Sequence, residues 1–156
     1  MIVLMACRAS NNIIGKDGTM PWHVPEELAF FKERTLHHHI LMGKRTWNHM
    51  PKGLAMRTVH ILTHYEDSVK NRQDVIIEKD VASIVSQWAN TNEILIVCGG
   101  AKVYETFLPY ATELWLSKLP QAYEGDTYFP SFDETCYDIK EVIEYPAFAF
   151  TCYKKK

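Results

Sequence analysis

Apolar and polar positions follow two patterns along the chain, and together they predict an α/β fold. Short apolar runs, such as Ile2–Arg8 and residues 93–98, are typical of strands buried on both faces of a sheet. The same pattern predicts further strands at residues 40–43, 58–63, 75–77 and 114–119. Helical segments separate these strands, so we expect crossover connections and a mostly parallel sheet.

The clearest helix signal follows Pro25, which suits the first turn of a helix because its missing N–H would have no partner there. Acidic residues in that turn favour the helix dipole, and the helix is predicted to end near Thr35. Three shorter helices are also predicted: one from Gly43 through Trp47, one at 81–89 with Asp80 as its N-cap, and one at 102–107 that ends before Pro109. Residues 11–23 are predicted to form a loop, and residues 137–144 and 147–153 an antiparallel hairpin.

The 156 residues fit one domain, residues 1–156, and the formal net charge of −2 provides no basic field for nucleic acid or an anionic membrane. No stretch approaches the roughly 20 apolar residues of a membrane span. The first apolar run is too short for a signal peptide and ends at Arg8. The four cysteines form no C-x-x-C pair, which favours free thiols. We therefore expect a cytoplasmic protein.

Parallel sheets bind ligands at the carboxyl ends of their strands. Cys7, Gly43, Thr63 and Cys98 end predicted strands and should share one edge of the sheet. The sequence therefore places a candidate site at this edge.

Residues 14–22 combine glycine with large apolar side chains in a predicted loop. Two glycines suit a backbone that changes shape over a ligand, although a plain surface turn also uses glycine. Met20 and Trp22 favour the ligand interpretation, because a solvated turn has no use for such side chains.

Glu27 shares a helix face with Phe31, four residues later. A carboxylate on such a face is partly desolvated, which raises its pKa, and it can bind an amidine-like edge such as that of a 2-amino-4-oxopyrimidine. The alternative is that Glu26 and Glu27 only favour the helix dipole. The residues alone leave both interpretations open.

Two glycine turns are candidates for phosphate binding. Gly43 ends a strand just before the basic pair Lys44 and Arg45, and Gly99-Gly100 lies between a strand and a helix. The alternative for the first is a solvated basic turn, and the second lacks the full G-x-G-x-x-G pattern.

In their order and spacing, these motifs resemble the dihydrofolate reductase family over nearly the whole chain. The matching patterns are I-G-x-x-G-x-[LM]-P-W at 14–22, P-x-[DE]-L at 25–28, M-G-[RK]-x-T-[WF] at 42–47, G-G-x-x-[VI]-Y at 99–104 and E-G-D-T-Y-F-P at 124–130. The resemblance implies an eight-stranded mixed, mostly parallel sheet with a C-terminal antiparallel hairpin and about four helices. It also implies hydride transfer from NADPH to dihydrofolate.

The resemblance assigns roles residue by residue. It makes Glu27 the pterin-binding carboxylate, and it places Ser117 where the family has a threonine that hydrogen-bonds this carboxylate. Trp22 and Tyr104 complete the catalytic group, with Tyr104 near the nicotinamide. Arg57 matches the arginine that binds the α-carboxylate of the substrate's glutamate. The other residues implied to bind substrate are Met5, Ala6, Leu28, Phe31, Met50, Leu54 and Cys98.

On the NADPH side, the resemblance implies contacts from strand ends, the loop and both glycine turns, with a cis peptide between Gly99 and Gly100. The residues concerned are Cys7, Ile14, Gly18, Met20, Gly43, Lys44, Arg45, Thr46, Thr63, His64, Gly99, Gly100, Ala101, Lys102 and Val103. Lys44 and His64 depart from the frequent Arg and small hydroxyl residue, which weakens a bidentate grip on the 2′-phosphate. Ala101 stands where a third glycine often occurs.

The implied mechanism gives Glu27 an orienting and polarising role. It would lie on the N3/2-amino side of the pterin, too far from N5 to protonate it, so the proton would come from water. The implied partners are dihydrofolate and antifolate inhibitors, and the family is mostly monomeric. Unusual residues at Met5, Cys7 and Cys98 leave antifolate sensitivity open.

Other interpretations remain. A related reductase acts on a ribosylaminopyrimidine, but Arg57 and the Pro21-Trp22 pair favour folate. A non-catalytic binding module would not require the set of Trp22, Glu27 and Tyr104. The run of histidines at 37–39 lacks partners at ligand spacing, so we expect no metal site.

Overall fold

The apolar run Ile2–Arg8 forms an interior strand, β1, in the computed structural model, which describes residues 1–50 and 54–156. Successive side chains of a strand point to opposite faces. Accordingly, Ile2 and Leu4 pack in one buried cluster, and Val3 and Met5 pack in another on the opposite face. Both faces of the sheet are therefore covered, as the apolar pattern predicts.

Ten strands are present in the described ranges. They are β1, β2 (Ile13–Gly15), β3 (His39–Gly43), β4 (Thr58–Leu62), β5 (Ile76–Glu78), β6 (Leu95–Val97), β7 (Glu113–Lys118), β8 (Thr127–Tyr128), β9 (Tyr137–Glu144) and β10 (Ala149–Lys155). Eight of them form one sheet in the order β5-β4-β3-β6-β1-β7-β10-β9, and β2 and β8 form a separate pair. Neighbours from β5 to β7 are parallel, whereas β10 is antiparallel to β7 and β9. The predicted mixed sheet with its C-terminal hairpin is confirmed.

Four α-helices connect the parallel strands in the described part of the chain. They are α1 (Pro25–Thr35), α2 (Lys44–Asn48), α3 (Val81–Trp88) and α4 (Ala101–Phe107). Asp80 caps α3 by accepting a hydrogen bond from the Ala82 N–H at 3.3 Å, as predicted. Phe30 of α1 and Trp47 of α2 pack on one face of the sheet, and Ile84 of α3 and Phe107 of α4 pack on the other. No helix in the described ranges is long and apolar enough to cross a bilayer.

The main difference from the sequence prediction lies in the loop at 11–23. Ile13–Gly15 within it pairs with Thr127–Tyr128 as β2 and β8. Strands of two or three residues are too short to show a period, so only the long-range contact reveals them. Several predicted ends shift by one or two residues, and the predicted strand at 93–98 contracts to Leu95–Val97.

Candidate active site

The carboxyl ends of the six parallel strands lie at one edge of the sheet, and they include the four strand ends that the sequence predicts there. The Gly43 N–H at the end of β3 donates to the Gly99 carbonyl after β6, at 2.9 Å. The peptide between Gly99 and Gly100 is cis. The end of β1 lies beside β7, with Cys7 opposite Ser117. The candidate site lies where these ends face α1.

Glu27 projects from the first turn of α1 and is only 6% exposed. Burial raises its pKa to about 7, because a charged carboxylate loses hydration there, while the nearby Ser117 hydroxyl favours the charged form and opposes that rise. Ser117 Oγ is buried, and no described residue forms a hydrogen bond of good geometry with it. The structure therefore brings the two groups together without the full hydrogen bond that the resemblance implies. Together they present a carboxyl and a hydroxyl to a polar ligand.

Tyr104 connects α4 to the end of β1. Its hydroxyl donates to the Met5 carbonyl at 2.6 Å, and its ring lies 5.1 Å from that of Phe129. Burial raises the pKa of the phenol, and negative charge on Cys98 or Glu27 would raise it further. Tyr104 is therefore neutral with its proton engaged, which suits a residue that shapes the site and not one that donates a proton to the ligand.

Two thiols line the same region. Burial raises the pKa of Cys7, and it raises the pKa of Cys98 to about 12, with Arg57 opposing that rise. Because thiolate is the nucleophilic form, neither thiol is activated for covalent chemistry. They contribute small, weakly polar surfaces to the site.

Most residues implied to bind the substrate rings belong to one apolar cluster below α1. Met5, Phe31, Met50, Leu54 and Cys98 all pack there, together with Trp22. Leu28 lies on α1 beside Glu27 and is 41% exposed. Ala6 belongs to the cluster on the other face of the sheet. The structure thus places Ala6 apart from the apolar wall formed by the others.

Arg57 is anchored by two of its five donors. Its Nη1 donates to Thr35 Oγ1 at 3.1 Å and its Nε donates to the Ala55 carbonyl at 3.1 Å. Thr35 is oriented for this contact because its own hydroxyl donates to the Phe31 carbonyl at 2.8 Å. Burial lowers the Arg57 pKa, but a guanidinium stays charged over the whole functional range. Neither of these two hydrogen bonds uses Nη2.

The loop at 14–22 rests on a second loop from the far end of the chain. The Asp17 N–H donates to Asp126 Oδ2 at 3.0 Å, and the Asp126 N–H donates to the Gly15 carbonyl at 3.1 Å. The rings of Trp22 and Tyr123 lie 5.2 Å apart. Met20 at the tip of the loop is 47% exposed. Ile14 packs toward the opposite face of the sheet.

Several of the residues implied to bind the cofactor lie around the turns at Gly43 and Gly99-Gly100. A Cβ atom at Gly100 would lie 3.4 Å from Thr46 Oγ1, and one at Gly43 would lie 3.3 Å from Val103. Ala101 and Lys102 begin α4 directly after this turn. The structure therefore brings both predicted glycine turns together.

The side chains of Lys44 and Arg45, which follow Gly43, extend in two different directions. Lys44 Nζ donates to Ser68 Oγ at 2.9 Å, after β4. Arg45 points to the loop, where a Cβ atom at Gly18 would lie 3.0 Å from its Nη2. Thr63 Oγ1 accepts from the Tyr65 N–H at 3.0 Å, and His64 is exposed beside it.

Several contributing residues escape the sequence analysis. Thr35 orients Arg57, Tyr123 packs on Trp22, and Ser68 holds Lys44. Their partners lie 20 or more residues away, so no local pattern marks them. The sequence marks Asp126, because it lies in the motif at 124–130, but nothing in that motif indicates that it binds the backbone of Gly15 and Asp17. No group of three metal-ligating side chains occurs in the described residues.

Comparisons with known proteins agree with this geometry. The family model for dihydrofolate reductase matches residues 1–152. Dihydrofolate reductase from Bacillus subtilis (strain 168) is 38% identical over 136 residues, which cover 86% of this chain and 79% of that protein. Dihydrofolate reductase HdrB from Haloferax volcanii is 35% identical over 161 residues, covering 99% of this chain and 83% of that protein.

A solved structure gives the same result for the fold. Dihydrofolate reductase from Enterococcus faecalis, complexed with NADP(H) and RAB-propyl, matches with a TM-score of 0.87 and 26% identity. The match covers 100% of this chain and 96% of that chain. Sequence and structure therefore indicate one family.

Proposed function

Because the chain belongs to the dihydrofolate reductase family, we infer that it reduces 7,8-dihydrofolate to 5,6,7,8-tetrahydrofolate with NADPH. The observation that carries this inference is the buried Glu27 carboxyl beside Ser117, at the sheet edge where both glycine turns meet. NADPH, when bound, supplies the hydride. The remaining steps depend on the side chains of this chain.

We propose that Glu27 binds the N3 and 2-amino edge of the pterin through both carboxyl oxygens. Paired hydrogen bonds fix the ring in one orientation and are strong where water is excluded. The buried Ser117 hydroxyl, which lacks a partner of good geometry among the described residues, is available to the same edge. From the position assigned to it, Glu27 polarises the ring without reaching N5, and water delivers the proton there.

The apolar wall formed by Met5, Phe31, Met50, Leu54 and Cys98 suits the flat rings of a folate. Trp22 and Met20 would cover the site when the loop closes and exclude water from the reacting atoms. Tyr104 would hold the end of β1 in place beside the nicotinamide, because its hydroxyl is bound to the Met5 carbonyl.

The residues around the two glycine turns fit a nucleotide cofactor. A Cβ atom at Gly43 or Gly100 would contact Val103 or Thr46, so glycine at these positions lets the two turns pack closely together. Lys44, Arg45, Thr46 and Lys102 supply positive charge or hydroxyl donors around them. Ile14, Gly18, Thr63 and His64 would complete the contacts, together with Cys7, Gly99, Ala101 and Val103.

An absorbance assay with NADPH and dihydrofolate tests the proposal directly. We expect NADPH oxidation that depends on dihydrofolate, and parallel assays with and without trimethoprim measure the sensitivity to that antifolate. A ribosylaminopyrimidine serves as the control substrate and should not be reduced. Tight binding of both ligands without NADPH oxidation would contradict the proposal.

Arg57→Ala should raise the KM for dihydrofolate by about 10- to 100-fold with little change in kcat, because a bidentate Arg–carboxylate pair contributes to ground and transition state alike. Steady-state kinetics with dihydrofolate and with dihydropteroate, which lacks the glutamate, measure this. The variant and the wild type should differ little on dihydropteroate. An equal loss on both substrates would show that Arg57 does not bind the glutamate.

We further propose that the enzyme works as a monomer in the cytoplasm. Cys7, Cys98, Cys136 and Cys152 are all unpaired, which suits a reducing compartment. The monomer follows from the resemblance, because the family is mostly monomeric.

A further inference from the structure

We propose that Tyr65 and Ser68 position the Lys44 ammonium group for the 2′-phosphate of NADPH, and that they thereby set the preference for NADPH over NADH. The inference rests on the proposed function and adds two residues that act through Lys44. Neither has a local sequence signal, since both follow β4 whereas Lys44 begins α2.

Lys44 is held by two contacts of different kinds. Its Nζ donates to Ser68 Oγ at 2.9 Å and lies 5.3 Å from the centroid of the Tyr65 ring. Ser68 Oγ itself donates to the Tyr65 carbonyl at 2.9 Å, so its proton is used and its lone pairs face Lys44. An ammonium has three N–H donors. One donor meets Ser68 and the ring face attracts the charge, which leaves donors for an anion.

This arrangement is held by more than the lysine itself. Asn48 Nδ2 donates to the Ser68 carbonyl at 2.9 Å, and the Lys70 N–H donates to Asn48 Oδ1 at 2.9 Å. Trp47 Nε1 donates to the Lys70 carbonyl at 2.6 Å. The segment that carries Tyr65 and Ser68 is therefore fixed to α2 independently of Lys44.

The position of Lys44 suits the 2′-phosphate of NADPH better than the phosphates at the glycine turn. Thr46, on the same short helix, faces the Gly100 turn after β6, whereas Lys44 faces the segment after β4. Strand β3 lies between β4 and β6 in the sheet. Phosphates held at the glycine turn are thus separated from the segment that Lys44 faces by two strand spacings, roughly 10 Å. An adenosine that continues past β3 brings its 2′-phosphate to Lys44.

Lysine needs such support more than arginine does. A guanidinium recognises phosphate through a rigid fork, whereas an ammonium sits on a flexible stem and loses rotamer freedom when it binds. The Tyr65 ring and the Ser68 hydroxyl fix the ammonium in advance. The nearby Glu66 carboxylate does not neutralise it, because Glu66 is paired with Arg72 at 3.2 Å and Lys79 at 3.5 Å.

The experiment measures dissociation constants for NADPH and NADH by quenching of tryptophan fluorescence. Tyr65→Leu should weaken NADPH binding about 3- to 10-fold, the range expected for a cation–π contact beside a phosphate. NADH binding should change less than about two-fold, since NADH lacks the 2′-phosphate. Tyr65→Phe keeps the ring and should behave like the wild type. Tyr110→Leu, an exposed tyrosine at the opposite edge of the sheet, is the matched control.

Two double variants separate positioning from support of the fold. In a Lys44→Met background, Tyr65→Leu and Ser68→Ala should cause no further loss of NADPH affinity, because the group that they position is gone. Equal losses for NADPH and NADH, or an unchanged NADPH affinity in Tyr65→Leu, would overturn the inference. A wild-type protein that binds neither nucleotide would instead overturn the proposed function.

Discussion

Replacing Glu27 with glutamine is expected to lower the turnover of dihydrofolate by about 100- to 1,000-fold, the usual loss when a preorganised polar group at a reacting centre is removed. Glutamine keeps the size of the side chain but presents only one acceptor, so it cannot pair with the N3 and 2-amino groups together. The buried site gives water little access to replace the lost contact, since Glu27 is 6% exposed. Single-turnover kinetics of NADPH oxidation, which isolate the chemical step, measure the loss.

The neighbouring Glu26 provides the matched control. It lies in the same first turn of α1 but is exposed. If the two acids served only the helix dipole, Glu26→Gln and Glu27→Gln would have similar small effects on stability and none on turnover. A Glu27→Gln enzyme with near wild-type turnover would reject the assigned role.

The same variant should change the pH dependence of activity and stability. In the wild type, the KM for dihydrofolate should rise as the pH falls through about 7, because the Glu27 carboxyl then gains a proton and no longer offers two acceptor oxygens to the N3 and 2-amino groups. This inflection should be absent from the profile of Glu27→Gln.

For stability, the pKa of Glu27 is raised on folding from its ordinary value of 4.5 to about 7. Its contribution is therefore fully present below pH 4.5 and is lost as the pH rises through about 7. The free energy of unfolding of Glu27→Gln should thus rise relative to the wild type between about pH 5 and about pH 8. Denaturant titrations at both pH values measure the difference, and a constant difference would contradict the raised pKa.

Gly125→Ala should lower both the stability of the protein and the rate of hydride transfer, because there is no room for a side chain at this position. Its Cβ atom would lie 2.5 Å from the Gly15 carbonyl oxygen and 2.6 Å from Ile13 Cγ2. The backbone of β2 cannot yield as a flexible side chain would, so the loops at 14–22 and 124–128 must separate. We expect a loss of about 1 to 3 kcal/mol in the free energy of unfolding, typical of overpacking.

The catalytic consequence follows from the contacts that would be broken. The hydrogen bonds between Asp126 and the backbone of Gly15 and Asp17 depend on this close approach. Without them, the loop that carries Met20 and Trp22 would no longer rest over the site. We expect hydride transfer to slow by about 10- to 100-fold, the cost of misplacing a closing segment.

Gly15→Ala is the matched control for this effect. It adds a methyl group to the same interface, but its nearest neighbour, Thr127 Cβ, is 3.4 Å away, an ordinary contact distance. This variant should change stability and hydride transfer little. Equal losses in Gly15→Ala and Gly125→Ala would show that the interface tolerates no change at all and that close approach at Gly125 is not the cause.

Sequence alone predicted the fold because most of the sheet has a strong local signal. Buried parallel strands such as Ile2–Arg8 are apolar on both faces, and Pro25 and Asp80 mark helix starts that the structure confirms. The paired strands Ile13–Gly15 and Thr127–Tyr128 have no such signal, because they are short and meet across more than 100 residues. Only the folded chain could reveal them.

The candidate site divides in the same way. The sequence identified Glu27, both glycine turns and the loop with Trp22, because chemistry of this kind requires particular residue types at fixed local spacing. It left open whether Glu27 serves the helix dipole or a ligand. Tertiary structure decided in favour of a buried group, because the surrounding sheet removes water from the carboxyl and raises its pKa. It also decided which residues position others, such as Thr35 on Arg57 and Ser68 on Lys44, since those contacts arise only when distant segments pack together.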